Sequence, residues 1–149
     1  MAKTFLLEIV TPEKRFYSGD VEIVIAKTLS GEEGFMAGHI RAFKLLATGE
    51  LCFREAGGKE YRLAAISGGF IDVSEGVLVY SDSAEWPGEI DVVRAEEARL
   101  REQEWLEQHK EKPEKISHEL AAEIDIHKQA VKRAINRKKV AAGENRQRH

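Results

Sequence analysis

The chain carries one cysteine in 149 residues, Cys52, so no disulfide can close within it and a reducing compartment is expected. Proline occurs only three times, each time at a boundary: Pro12 after "FLLEIV", Pro87 where the chain changes character, and Pro113 beyond a helical stretch. No apolar run approaches the ~18 residues that a membrane span requires. The start, "MAKTFLLEIV", is too short in its apolar stretch and too soon broken by Glu8 to read as a signal peptide, so a soluble chain is expected. Catalytic patterns are missing as well. Ser67 in "SGGF" lacks the flanking glycine of a nucleophile elbow. "SGEEG" (Ser30 to Gly34) is neither a phosphate loop nor a dinucleotide fingerprint. His39 in "GFMAGH" has no second histidine or carboxylate pair at ligand spacing. No catalytic residue, no metal site and no required cofactor is expected, and the chain is not read as an enzyme.

The composition is that of a globular protein, 42% hydrophobic, but its 33% charged residues exceed the usual share of about a quarter. A net charge of −3 argues against a generally nucleic-acid-seeking surface. The charge is unevenly spread. Acidic residues prevail from Gly88 to Asp125, whereas from His127 to His149 the only carboxylate side chain is Glu144 among many Lys and Arg. Such an end suits a nucleic acid, an anionic lipid surface, an acidic protein segment or a phosphorylated ligand. A binding module whose basic helix contacts nucleic acid is therefore one reading, although no aromatic residue is interleaved among those cations.

The first half reads as strands. "FLLEIV" and "VEIVIA" alternate, the second placing Val21, Ile23 and Ile25 on one face. "ELCFRE" and "EYRLAAIS" flank Gly57-Gly58, and "FIDV" and "VLVYS" flank Ser74-Glu75-Gly76, both hairpin patterns. At Gly68-Gly69 a strand must bend or let another backbone come close. Short strands at regular spacing predict a small antiparallel β-sandwich or barrel over residues 1–86.

The second half, residues 87–143, reads as an antiparallel two-helix hairpin, giving an α+β chain. Asp91 caps a first helix from about Val92 to about Lys110, with Ile90 placed as a staple. Ser117 caps a second that ends at Gly143. Leu120, Ile124, Val131 and Ile135 form one stripe on it, while the first helix offers mostly Ala95 and Ala98, with Val93, Trp105 and Leu106 at its ends. Alanine releases little on burial beside the roughly 1.5–3 kcal/mol of a large aliphatic side chain. Such a hairpin is marginal alone, which leaves open whether it packs on the sandwich for good or moves. Arg94 and Arg101 lie seven apart on the first helix, and Arg133 and Arg137 four apart on the second. Either each pair is a solvated face, or an anion such as a triphosphate sits among the four. The last six residues, 144–149, are expected to be a disordered tail.

Four stretches in order, "LEIVTPEKRFYSGDVEIVIA", "SGEEGFMAGH", "AISGGFIDV" and "SAEWPGEIDVVRAEEARLR", resemble the epsilon subunit family of bacterial F-type ATP synthases, from about Phe5 to about Ala142. The resemblance implies a β-sandwich followed by a helical hairpin. It also implies a non-catalytic central-stalk subunit, bound to the gamma subunit and the c ring on the cytoplasmic side of the cell membrane, that turns with the rotor and couples proton flow to ATP synthesis. In the family the hairpin lies folded on the sandwich or extends toward the alpha and beta subunits, restraining ATP hydrolysis. Some members bind ATP as a regulatory ligand in the folded form, through a motif matched here by Ile90, Asp91, Arg94 and Ala95. The other contacts of that site fall on Glu85, Arg101, Arg133 and Arg137. The chain departs from the family at Met36 and Ala37, where proline and leucine are common, and at Arg41 and Lys44, in a loop that is usually apolar and is expected near the c ring.

Overall fold

The computed structural model describes residues 3–143, so the tail expected over 144–149 lies outside it. Among the described residues nine strands come first: β1 (Phe5–Val10), β2 (Arg15–Thr28), β3 (Gly31–Met36), β4 (Ala42–Leu45), β5 (Gly49–Glu55), β6 (Arg62–Ile66), β7 (Phe70–Val73), β8 (Val77–Tyr80) and β9 (Ala84–Glu85). A short 3₁₀ turn, Pro87–Glu89, leads into α1 (Val92–Gln108), and a second, Pro113–Lys115, precedes α2 (His118–Ala142). The strands follow the order β4-β7-β8-β1-β2-β5-β6-β9, with β3 folded back on β2. Pairing is antiparallel except between β1 and β8, which run parallel.

Period-two alternation builds the core. Leu51 and Phe53 of β5, and Ala64 and Ile66 of β6, point into the main cluster with Leu7, Ile9, Phe35 and Ile71. The residues between them, Cys52, Leu63 and Ala65, point the other way and are buried too, under Ile90 and Val140 of the second half. That explains the unbroken apolar runs "LCF" and "LAAI": both faces of this part of the sheet are covered. Cys52 is thus a small apolar group beneath α2.

The face expected for Val21, Ile23 and Ile25 is corrected by a bulge. The register between β2 and β5 slips between Val21 and Ile23, so the enclosed residues are Val21, then Val24, Ala26 and Thr28. An extra residue in one strand moves every later side chain to the opposite face. Ile25 instead packs toward the hairpin cluster. Gly69 behaves as its sequence context requires. With φ +102° it lies so close to β8 that a Cβ there would fall 1.8 Å from the Tyr80 carbonyl oxygen.

Candidate functional site

The hairpin base is set by local capping. The Asp91 carboxylate accepts from the Arg94 backbone N–H at 3.0 Å, closing the first turn of α1 and complementing its positive end. Ser117 does the same for α2 through the Leu120 N–H at 3.1 Å. Ile90, placed as a staple by its sequence position, is buried among Cys52, Leu63, Ala65 and Val140, so it fastens α1 to the sandwich and α2. Just upstream, Trp86 stacks on Phe16 at 4.3 Å and lies under the Arg62 guanidinium at 4.2 Å. Arg62 also bonds Glu55, which accepts from the Tyr17 hydroxyl at 3.1 Å. Burial, then that bond to Glu55, pushes the Tyr17 phenol up to about 12. The chain is thus anchored at Trp86 and again, four residues on, at Ile90.

Small residues fill the seam between the helices and beneath them. Only Ala95 is buried on α1, and only Ala134 and Val140 on α2. The expected stripe of Leu120, Ile124, Val131 and Ile135 is half-buried throughout. Polar contacts supply the register. Lys138 reaches Glu96, which also takes Arg99, and His127 reaches Glu102. Their bonds, Arg99 first and Lys138 next, hold the Glu96 carboxyl down to about 2. His127 also stacks on one face of Trp105 at 3.7 Å while His109 covers the other at 3.8 Å. His109 donates from Nδ1 to the Trp105 carbonyl at 2.8 Å.

The candidate nucleotide residues divide in two. Glu85 on β9 and Arg137 on α2 meet in a bidentate pair, Nε to Oε1 at 2.7 Å and Nη2 to Oε2 at 3.0 Å. This fork leaves the Nη1 edge of Arg137 available. Asp91 and Arg94 meet through the cap, and Ala95 is enclosed at 0% exposure. The Arg94, Arg101 and Arg133 side chains are exposed. Arg133 borders a cavity of about 440 Å³ with Thr48, Ser67, Asp82 and Ser83. Neither that cavity nor the larger one beside α2 is lined by Arg94 or Arg101. Of these two cavities, only the smaller is lined by one of the four arginines, Arg133.

Other sequence candidates have structural partners. His39 lies 4.9 Å from the Phe35 ring and donates from Nδ1 to the Ile40 carbonyl at 2.7 Å. Ser67 accepts at Oγ from the Ser83 hydroxyl at 3.0 Å. Lys44, expected in a loop, lies on β4 and binds both oxygens of Glu33 at 2.6 Å. Among the described residues no group of three or more His, Cys, Asp or Glu could hold a metal ion, and no helix is long and apolar enough to cross a membrane. Sequence reasoning overlooked the Trp105 stack and Asn136, whose Nδ2 donates to Gly49 O at 2.9 Å. The four-residue spacing of Trp105 and His109 was a visible clue, whereas Asn136 offered none.

Residues 4–87 match the family model described as the ATP synthase delta/epsilon chain β-sandwich domain. The ATP synthase epsilon chain of Caldanaerobacter subterraneus subsp. tengcongensis is 42% identical over 144 residues, covering 95% of this chain and 96% of that one. A chain of the Euglena gracilis mitochondrial ATP synthase, solved with its c ring, shares the fold with TM-score 0.74 at 23% identity, over 93% of this chain and 81% of that one. A chain of the Tetrahymena thermophila mitochondrial ATP synthase central stalk and c ring has TM-score 0.61 at 14% identity, over 94% and 98%. With its sandwich matched by the family model and nearly its whole length matched by a bacterial relative, the chain belongs to the ATP synthase epsilon chain family.

Proposed function

We propose that this chain is a non-catalytic rotor subunit of a proton-driven ATP synthase, peripheral on the cytoplasmic side of the cell membrane. Residues 1–86 form the base that binds the gamma subunit and the c ring, and residues 87–143 form a regulatory arm. Exposed apolar side chains on the sandwich, Met36, Ile40, Phe43 and Leu45, give the base a surface suited to burial against a partner. The arm restrains ATP hydrolysis when it leaves the sandwich and reaches the alpha and beta subunits.

The observation that carries the regulatory reading is the poverty of the seam. On the two helices only Ala95, Ala134 and Val140 are buried, so folded and extended states differ by little, and a ligand preferring one can shift them. ATP is the proposed ligand. Arg94, Arg101, Arg133 and the open edge of Arg137 hold its phosphates, Asp91 and Glu85 orient the adenine and the helix start, and Ala95 leaves room. Because Arg137 is already engaged by Glu85, nucleotide binding must share that pair or open it.

Isothermal titration of ATP into the full chain, with Arg94→Ala and Arg133→Ala alongside, tests the site. Saturable binding lost in both variants supports it, and affinity unchanged in both removes it. Failure to co-purify with the gamma subunit would remove the rotor assignment separately.

A further inference from the structure

Two ion pairs of different chemistry tie the helices of the arm to each other. Nearer the base, the Lys138 ammonium holds Glu96, which the Arg99 guanidinium also binds. Lysine and arginine keep their charge throughout the physiological range. Further out, the only cation on Glu102 among the described residues is the His127 imidazole, through Nδ1. Histidine is the side chain whose charge ordinarily changes between about pH 5 and 8. The outer tie is therefore the one that a proton can strengthen or weaken.

The surroundings of this pair magnify the effect of that charge. Glu102 keeps 18% and His127 26% of their side-chain accessibility, and the imidazole lies flat on the Trp105 ring at 3.7 Å and 15°. A carboxylate so enclosed binds less well to a neutral partner than to a cation. A cation over an indole face also gains from the ring quadrupole. Both effects make the joint firmer when His127 is protonated.

The other charges around His127 offer no substitute. On α1, Arg99 stands one turn before Glu102 but is taken by Glu96 and, at 2.7 Å, by Gln103. His109 covers the far face of Trp105 and donates to the Trp105 carbonyl, so its bond stays within its own helix. On α2, Glu123 stands one turn before His127, where a carboxylate also suits an imidazolium. Asp125 and Lys128 are exposed neighbours of opposite sign. The ion pair and hydrogen bonds between α2 and the sandwich come from Asn136 and Arg137, more than two turns away.

We propose that the Glu102–His127 pair is a proton-operated catch between the two helices. Protonated, it holds their outer halves together; neutral, it leaves the joint to Glu96–Lys138 and the ring stack. The catch is firm in acid and slackens as pH rises through the range, about 6 to 7, where histidines ordinarily lose their proton. The neutral ring keeps its place on Trp105, so the change is partial. A proton thereby sets how readily the rods separate once they leave the base. That use rests on the moving arm proposed above, whereas the catch itself does not.

Amide exchange of the full chain between about pH 5.5 and about pH 8, corrected for the pH dependence of free-amide exchange, tests this. Amides of α2 from His118 to Ala130 should lose protection by about two- to fivefold across that range. The loss should track deprotonation of the His127 ring, followed by its own carbon-bound proton signals. His127→Phe, which keeps a ring on Trp105, and Glu102→Gln should each abolish the dependence, and His109→Phe should preserve it. Level protection in the unaltered chain overturns the proposal, as does a dependence that survives in His127→Phe or in Glu102→Gln. So does a dependence that disappears in His109→Phe alone. Co-purification with the gamma subunit is indifferent to these outcomes and tests the rotor reading separately.

Discussion

Arg137 of α2 grips Glu85 of β9 with two parallel hydrogen bonds, 2.7 and 3.0 Å long, and both side chains keep less than a third of their accessibility. Fifty-two residues separate them, so this pair ties the last strand of the sandwich to the end of the arm. Around it Asn136 holds Gly49, and Val140 covers Cys52 and Leu63.

Arg137→Ala should loosen the arm without disturbing the base. A partly buried bidentate pair is expected to contribute about 1–2 kcal/mol, above the value of an exposed one. Amide exchange is the check: α2 should exchange faster by roughly that free energy, while β1, β2 and β5 keep their protection. Equal acceleration in the strands would contradict this division.

Acid should open the seam through Glu96. Its carboxyl titrates at about 2 in the folded chain, against an ordinary 4.5, chiefly because it accepts from Arg99 and then from Lys138. A depressed acid stabilises the folded form fully above the ordinary value, and that contribution disappears as pH falls from about 4.5 toward about 2. The sandwich has its own acid-sensitive pair, since the Arg54 bond holds Glu22 below its ordinary range. Glu96→Gln should therefore flatten the acid response of α2 exchange alone, leaving strand exchange to follow Glu22.

The Trp105 stack should secure the far part of the arm. Each ring pair contributes about 0.5–1.5 kcal/mol beyond area burial, so Trp105→Ala should cost the arm about 1–3 kcal/mol, with His127→Ala costing less. Near-ultraviolet circular dichroism should lose the Trp105 component and retain that of Trp86. A spectrum unchanged in His127→Ala would show that the stack does not persist in solution.

Gly69→Ala tests the close approach of two backbones. The added methyl would overlap the Tyr80 carbonyl, and the φ of +102° is itself unfavourable for alanine. A loss of about 3 kcal/mol or more is expected, read as a lower denaturation midpoint of the sandwich strands. Gly31→Ala, also at positive φ but with open space around it, should cost distinctly less.

The caps were legible because they are local: Asp91, Ser117 and Gly143 each announce a helix end within four residues of sequence. Gly69 was legible for the same reason, as a glycine in a strand pattern has few explanations. The partners of α2 were not. Asn136 meets Gly49 across 87 residues, and the periodicity that picked out Leu120, Ile124, Val131 and Ile135 ranks side chains by size, whereas the close seam uses Ala95 and Ala134. The parallel β1–β8 pair escaped because strand patterns specify faces rather than neighbours. Of the proposed nucleotide residues, the contact between Glu85 and Arg137 is plain only in three dimensions.

The fastenings also imply an order of events. Those joining arm to base, Glu85–Arg137, Asn136–Gly49 and the burial of Ile90 and Val140 on Cys52 and Leu63, lie at the foot of α1 and near the end of α2, whereas Glu96–Lys138, Glu102–His127 and the Trp105 stack join the two rods to each other. Breaking the first group leaves the second intact. The rods should therefore depart together, hinged beyond Trp86 as a preassembled body, and separate only in a later step with its own activation barrier.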